Sequence, residues 1–349
     1  MKKIHIGHHF FGAGNLGDDF MLAGFLVAME PWLGRAEFSC CVPHPRELLS
    51  RRFPQICWLP YDETTRRRAI ASSDVWLGLG GSPFQCTVSS WFIDHLAEER
   101  CWCAAANKPM YFLGVGGQDP AAYLRPEIRA ICAQATGIWT RDTATAEALY
   151  MAVPSAAISV SADLAHVFFS TQRPPSAVAG RLTATFNFDY GVWPNQGAAL
   201  AALESLPACE RIWLAQETRL LPGAEQQLFS QVSENVRRHW RLQIADTGET
   251  TMAEVLRHWP SSEWLIASRY HATIAGAWAG SRAIVIATND KIRGIARDLG
   301  YPSLAPDDDF SILPFLWRQS KHPARSVLLE NAKLAHTACS AFAQAIGLH

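Results

Sequence analysis

Short apolar runs of strand length alternate along the whole chain with stretches of helical periodicity. In the first half, each run is followed by a small or polar turn, and a helical pattern such as residues 143–151 follows, which Asp142 or Thr143 can cap. This alternation is typical of a parallel, doubly wound α/β sheet. The strands it predicts in this half are residues 3–8, 75–79, 109–115, 137–140 and 157–160.

A second series of the same kind follows a polar, proline-containing stretch at residues 170–178. Its predicted strands are residues 182–188, 211–215, 242–244, 264–267 and 283–287, and residues 326–346 form an alanine-rich helical pattern. We therefore predict an N-terminal domain over 1–172, a C-terminal domain over 173–325 and a C-terminal helix over 326–349.

Composition limits what the chain can do. Its 349 residues are enough for two α/β domains, and a net charge of -1 argues against nucleic acid as a partner, so any anion site must be local. The nine cysteines include no Cys-x-x-Cys pair, which favours reduced core cysteines in a cytoplasmic protein. No uninterrupted apolar stretch approaches the roughly 20 residues of a transmembrane helix.

The glycine-rich start from Gly12 to Gly17 has the G-x-G-x-x-G spacing of a dinucleotide site. Asp18 and Asp19 follow at once, however, and their carboxylates would face the pyrophosphate that such a site holds. Two alternatives stay open: a tight turn capped by Asp18, or a loop whose amides meet a ligand while a carboxylate contacts a hydroxyl. The neighbouring His8 and His9 have no third ligand at a recognisable spacing, so no metal site is predicted.

The most informative residues are Arg269 and His271, which directly follow the predicted strand 264–267, and Lys291, which follows the next strand. In open α/β sheets, ligands bind at the carboxyl ends of the strands. Two cations and a group that titrates near neutral pH indicate an anionic substrate and an acid–base step.

Several motifs together resemble the polysaccharide pyruvyl transferase family. They span about three hundred residues in the family's order: Gly14-Asn15-Leu16-Gly17-Asp18-Asp19, Gly78-Leu79-Gly80-Gly81, Leu113-Gly114-Val115-Gly116-Gly117, Thr140-Arg141-Asp142, Ala162-Asp163, Ser268-Arg269-Tyr270-His271 and Asp290-Lys291. The resemblance implies a glycosyltransferase-B-like fold, with two Rossmann-like domains facing a cleft, the first on the acceptor side and the second on the donor side. It also implies transfer of the enolpyruvyl unit of phosphoenolpyruvate to two hydroxyls of one sugar, as a pyruvate ketal, with release of phosphate and without a cofactor. Two departures are Asp19, where the family usually has glutamate, and Leu79, which interrupts its glycine triplet.

The resemblance also implies roles for individual residues. His271 is expected to act as the general acid, and Asp18 to accept a proton from the attacking hydroxyl or to hold the acceptor sugar. The expected substrate-binding residues are Arg141, Arg269, Lys291, Asn15, Gly17, Gly80, Gly81 and Ser268. The structural alternatives are an ion pair for Arg141, a solvated helix start for Lys291, a core histidine for His271 and a helix cap for Asp18.

The expected partner is a sugar of an exopolysaccharide or cell-wall precursor, which can be lipid-linked. An arginine cluster in the first domain can be a solvated helix surface or can meet an anionic membrane or a lipid diphosphate; it comprises Arg51, Arg52, Arg66, Arg67 and Arg68. Two other functions remain open: a glycosyltransferase using a nucleotide sugar, with Glu249 or Glu254 holding the ribose, and a non-catalytic sugar-binding relative.

Overall fold

The chain forms two compact α/β units. The computed structural model describes residues 1–7, 10–43, 45–85, 91–117, 120–187, 196–219 and 224–349. The first unit contains residues 1–13, 18–168 and 330–349, and the second contains residues 14–17 and 169–329. In these described segments, no helix is both long enough and apolar enough to cross a membrane.

The first unit is built on a parallel sheet of seven strands in the order β3-β2-β1-β4-β5-β6-β7. Its strands are β1 (Lys2–Gly7), β2 (Ala36–Val42), β3 (Ile56–Pro60), β4 (Val75–Leu79), β5 (Met110–Val115), β6 (Gly137–Thr140) and β7 (Ile158–Val160). The predicted strands are confirmed within one or two residues, but β2 and β3 were missed. Glu37, Ser39 and two adjacent cysteines interrupt the apolar run of β2, and β3 ends in a proline.

Helices α1 to α7 follow these strands, and α15 closes the unit. They are α1 (Leu16–Ala28), α2 (Arg46–Arg52), α3 (Glu63–Ser72), α4 (Trp91–Ala105), α5 (Pro126–Gln134), α6 (Thr143–Ala152), α7 (Ala165–Thr171) and α15 (Arg325–Ala345). Asp142 caps α6 through the Thr145 amide, as predicted. The aromatic ring of Phe342 in α15 packs against Tyr111 and Trp139, so this helix belongs to the core of the first unit.

The second unit contains a parallel sheet of six strands in the order β10-β9-β8-β11-β12-β13. The strands are β8 (Val178–Thr185), β9 (Glu210–Ala215), β10 (Arg241–Ile244), β11 (Ser262–Ala267), β12 (Arg282–Ile286) and the two-residue β13 (Ser303–Leu304). The helices are α8 (Gln196–Glu204), α9 (Glu225–Gln231), α10 (Glu234–His239), α11 (Met252–Arg257), α12 (Tyr270–Ala279), α13 (Asp290–Leu299) and α14 (Leu313–Gln319). Trp213 is fully buried in its core and donates its indole N–H to the Glu225 carbonyl, 2.9 Å away.

Two members of the predicted arginine cluster are not surface residues. Arg52 is buried and donates to the Asp19 carboxylate at 2.8 Å, and Arg66 is buried against Glu99 at 3.0 Å. Each guanidinium is held inside the first unit because its buried carboxylate partner compensates its charge. The five arginines therefore do not form one basic surface, whether for solvent or for an anionic membrane.

His5 on β1 is a buried histidine whose pKa is lowered to about 4, first by burial and then by the nearby Arg66 guanidinium. Its Nδ1 lies 3.0 Å from the Ser39 hydroxyl. The folded pKa is below the ordinary value of 6.5, so the unfolded chain takes up the proton first as the pH falls.

We expect the free energy of unfolding to fall between about pH 6.5 and pH 4 through His5, by at most about 1.4 kcal/mol per pH unit. Urea denaturation at several pH values measures the slope. In His5→Gln this part of the slope should disappear, whereas the exposed-histidine control His322→Gln should keep it. An unchanged slope in His5→Gln would show that other groups cause the acid sensitivity.

Candidate functional site

The carboxyl ends of β11 and β12 place the predicted residues at one edge of the second sheet. The two strands are neighbours and pair in parallel, with Ala267 beside Val285. Each strand is followed by a helix: α12 begins at Tyr270, and α13 begins at Asp290 after its N-cap Asn289. Two helix N-termini, whose amides attract anions, therefore follow adjacent strands.

His271 and Lys291 occupy the first turns of these two helices. His271 is 8% exposed, and its ring makes an edge contact with Tyr270 at 5.3 Å between centroids. Lys291 is half-buried, and its Nζ lies 6.0 Å from the centroid of the same Tyr270 ring. The imidazole of His271 and the ammonium group of Lys291 thus both lie near the Tyr270 ring, at one edge of the sheet.

Arg269 is engaged by two acids of its own unit. Its Nε and Nη2 donate to the Glu225 carboxylate at 2.6 and 2.9 Å, and the Glu217 carboxylate lies 3.9 Å from Nη2. Glu225 is completely buried and also accepts from the Thr185 hydroxyl at 3.4 Å. A bidentate pair of this kind fixes the guanidinium plane. The geometry therefore favours a positioning role for Arg269 over direct contact with a donor anion.

Arg219 also belongs to this group of charges, because its Nε and Nη2 donate to the Glu217 carboxylate at 2.7 and 3.1 Å. Two arginines thus alternate with two glutamates, and their four charges cancel. Sequence reasoning missed Glu217, Arg219 and Glu225. The signal for Glu217 and Arg219 was available, since they directly follow strand β9 as Arg269 follows β11.

The segment Gly14–Gly17 belongs to the second unit, where it pairs with the chain that follows β9. The Thr218 amide donates to the Gly14 carbonyl at 2.8 Å, and Asn15 forms an antiparallel bridge with Glu217. The Asn15 side chain accepts from the Gly17 amide at 3.2 Å. Asn15 therefore shapes the loop, which runs beside the charged residues of this edge.

Ser268 ties two strand ends together. Its hydroxyl accepts from the Asn187 amide at 2.7 Å and donates to the Asn187 carbonyl at 2.9 Å, while its own amide donates to Thr185. This locks the end of β8 to the end of β11. The serine of the motif thus fixes the backbone just before Arg269.

In the first unit, Arg141 is the centre of a second group of motif residues. Its side chain is buried, Nη1 donates to Asp163 at 3.3 Å, and Nη2 donates to the Ser82 hydroxyl at 2.8 Å. A Cβ on Gly116 would lie 2.4 Å from its Nε, so the glycine leaves room for the guanidinium. Arg141 therefore forms an ion pair, which was the structural alternative for this residue. Asp163 is its main partner, and Asp142 is farther away at 4.0 Å.

Gly80 and Gly81 directly follow β4 and have positive φ angles of 65° and 72°, which explains two consecutive glycines. The Gly81 carbonyl accepts from the Gly116 amide, so these glycines belong to the Arg141 group. Asp18 is half-buried in the first turn of α1, while its neighbour Asp19 accepts from the Gly12 amide. His8 and His9 lie outside the described residues.

The structure therefore sorts the predicted residues into two groups. His271, Arg269, Lys291 and Ser268 lie in the second unit with Asn15 and Gly17, whereas Arg141, Gly80, Gly81 and Asp18 lie in the first. Their convergence on one donor pocket stays a prediction, as do the individual substrate-binding roles.

No protein-family model matches the chain, and no curated protein matches it in sequence. Solved structures do match in fold. HepE from Anabaena, in complex with UDP and glucose, has a TM-score of 0.62 at 10% identity, covering 99% of each chain. MnaA from S. aureus, in complex with UDP, has a TM-score of 0.62 at 11% identity, covering 100% of this chain and 98% of that one.

A putative UDP-N-acetylglucosamine 2-epimerase from Listeria monocytogenes matches with a TM-score of 0.60 at 14% identity, covering 99% of this chain and 95% of that one. At such low identity, these likenesses show the fold alone. Together with the two parallel sheets, they confirm the predicted glycosyltransferase-B-like class.

Proposed function

We propose that this protein is an enzyme that acts on a sugar and takes its donor, a molecule carrying phosphate, at the carboxyl edge of the second sheet. The observation that carries the proposal is the placement of His271 and Lys291 in the first turns of helices that follow adjacent parallel strands. Helix N-termini and a lysine suit phosphate oxygens, and a histidine suits proton transfer. The relatives in fold, which were solved with UDP, agree with a phosphate-bearing donor.

For the donor, we propose phosphoenolpyruvate, on the basis of this chain's own motifs. His271 would deliver a proton to the methylene carbon, so that the central carbon gains oxocarbenium character and a sugar hydroxyl adds to it. The carbon–oxygen bond to phosphate then breaks, phosphate leaves, and a second hydroxyl of the same sugar closes the ketal. The two hydroxyl protons balance the proton delivered to carbon and the one that leaves with phosphate.

A nucleotide sugar is the second candidate donor, and the comparisons favour it over phosphoenolpyruvate. The similar structures are described with UDP, UDP-glucose or a UDP-N-acetylglucosamine 2-epimerase activity. The two acids predicted to hold a ribose do not support it. Burial raises the pKa of Glu249, but hydrogen bonds, first from the Thr247 hydroxyl and also from the Thr247 amide, outweigh it and lower the pKa to about 2. Glu254 completes a capping box with Thr251. Because a fold does not fix a substrate, the donor must be tested directly.

One paired assay decides between the donors. The purified protein is incubated with a panel of free, nitrophenyl and lipid-linked sugars, and either phosphate release from phosphoenolpyruvate or UDP release from UDP-sugars is measured. Sugar-dependent phosphate release with a ketal product supports pyruvyl transfer, and UDP release supports the second candidate. If calorimetry detects binding of neither donor to the protein, the whole proposal is wrong.

Lys291→Ala is expected to weaken binding of the true donor about 10-fold or more, because a charge-assisted contact to phosphate is lost. Isothermal titration of the donor measures the dissociation constant. The matched control is Arg293→Ala on the same helix, whose exposed side chain pairs with Asp290. Equal affinities of Lys291→Ala and Arg293→Ala would remove Lys291 from the donor site.

A further inference from the structure

Gly17 lies directly against the imidazole of His271. A Cβ built on Gly17 would fall 2.1 Å from His271 Nδ1, 2.8 Å from Cγ and 3.0 Å from Cε1. The φ of Gly17 is not among the positive values in the part of the chain that the structure describes. Glycine is therefore needed here for close approach of the backbone to the ring, and not for an unusual backbone conformation.

The contact is held by the pairing of this segment with the chain after β9. The Leu16 amide donates to the Gln216 carbonyl at 3.4 Å, one residue before Gly17, and Thr218 holds Gly14 on the other side of Asn15. Gly14 itself has a φ of 89°, and its Cβ would lie 2.3 Å from the Thr218 hydroxyl. The backbone beside the ring is thus anchored to the same sheet edge that carries His271.

We infer that Gly17 is a positioning residue for His271: its backbone packs against the Nδ1 edge of the ring and holds the imidazole in the orientation in which it exchanges a proton with the substrate. This inference rests on the proposed function because it assumes that a substrate binds near His271. The contact between Gly17 and the ring does not depend on that function. This role differs from the substrate-binding role predicted for Gly17, because the glycine would act through the imidazole.

The test compares Gly17→Ala with Gly294→Ala, a matched control on α13, where an added Cβ meets nothing within 4 Å. In Gly17→Ala, the His271 imidazole resonances should move in NMR spectra of histidine-labelled protein, assigned by their loss in His271→Gln. Turnover should fall about 10-fold or more, while the donor dissociation constant stays within about twofold, because misplacing a catalytic group affects the reaction step. Unmoved resonances in Gly17→Ala would overturn the inference.

A second arm covers the case in which Gly17→Ala folds poorly. Removing the ring in His271→Ala creates room for the new methyl group, so Gly17→Ala should lower the midpoint of thermal unfolding in the wild-type background but hardly in the His271→Ala background. Equal losses in both backgrounds would show that Gly17 does not act through His271.

The two arms also separate this inference from the proposed function. The NMR and unfolding measurements need no donor, so they decide the role of Gly17 even if neither phosphoenolpyruvate nor a UDP-sugar is turned over. Conversely, donor turnover together with unchanged His271 signals in Gly17→Ala would overturn the inference and leave the proposed function standing.

Discussion

His271→Gln is expected to lower turnover about 100-fold or more while the donor dissociation constant changes little, because removing a general acid slows the proton-transfer step. Glutamine keeps hydrogen-bonding capacity and similar bulk but cannot deliver a proton in this pH range. The measurement is a turnover number with a saturating sugar acceptor, together with isothermal titration of the donor. His271 is chosen because it lies in the first turn of α12, and the size of the effect is the usual contribution of a general acid.

The matched control is His322→Gln, an exposed histidine of the same unit whose Nδ1 lies near the Gly280 carbonyl. It should retain wild-type turnover. If His271→Gln also retains it, His271 is not the acid, and Asp18 becomes the first residue to test. A parallel loss of turnover and donor affinity would instead indicate that His271 mainly binds.

Glu225→Ala is expected to lower the free energy of unfolding by about 3–5 kcal/mol, because the buried guanidinium of Arg269 loses its main compensating charge. Glu225 is fully buried, holds Arg269 in bidentate geometry and also receives the Thr185 hydroxyl. Urea denaturation followed by circular dichroism measures this loss.

The matched control is Glu210→Ala, in which a half-exposed carboxylate loses contacts of 2.6 Å to Arg181 and 3.1 Å to Arg241. An exposed pair contributes at most about 1 kcal/mol, so this variant should remain close to wild type. If Glu225→Ala costs no more than Glu210→Ala, the Arg269 pair does not stabilise the second unit. Replacing both partners, as Glu225→Leu with Arg269→Met, should recover much of the loss, since no buried charge is then left unpaired.

Much of the fold follows from the sequence, because apolar runs of strand length are the main signal of a buried parallel strand. Val75–Leu79 and Gly137–Thr140 were predicted with their observed bounds. β2 was missed because its burial depends on neighbouring strands: Cys40 and Cys41 are fully buried between β1 and β3 and so act as apolar residues. β13 has only two residues and shows no periodicity at all.

The candidate site was predictable only in part. His271 and Lys291 follow consecutive strands, and the sequence shows where strands end, so their common edge could be inferred. The partners of the two arginines could not be inferred, since Glu225 lies 44 residues from Arg269 and Asp163 lies 22 residues from Arg141. Such pairs depend on which strands are neighbours in space. The order β9-β8-β11 brings Glu217 and Arg269 together, although β10 lies between them in sequence.

The chain is interleaved between its two units, and this affects how the molecule can be assembled. Residues 14–17 belong to the second unit but are synthesised between β1 and β2 of the first sheet, while residues 330–349 belong to the first unit but are synthesised after all of the second. A fragment cut at the predicted boundary after residue 172 would lack the helix that brings Phe342 against Tyr111 and Trp139. The complementary fragment would lack the glycine beside His271. Neither fragment contains a whole unit, so cotranslational folding of the first unit can finish only after residues 330–349 have been synthesised.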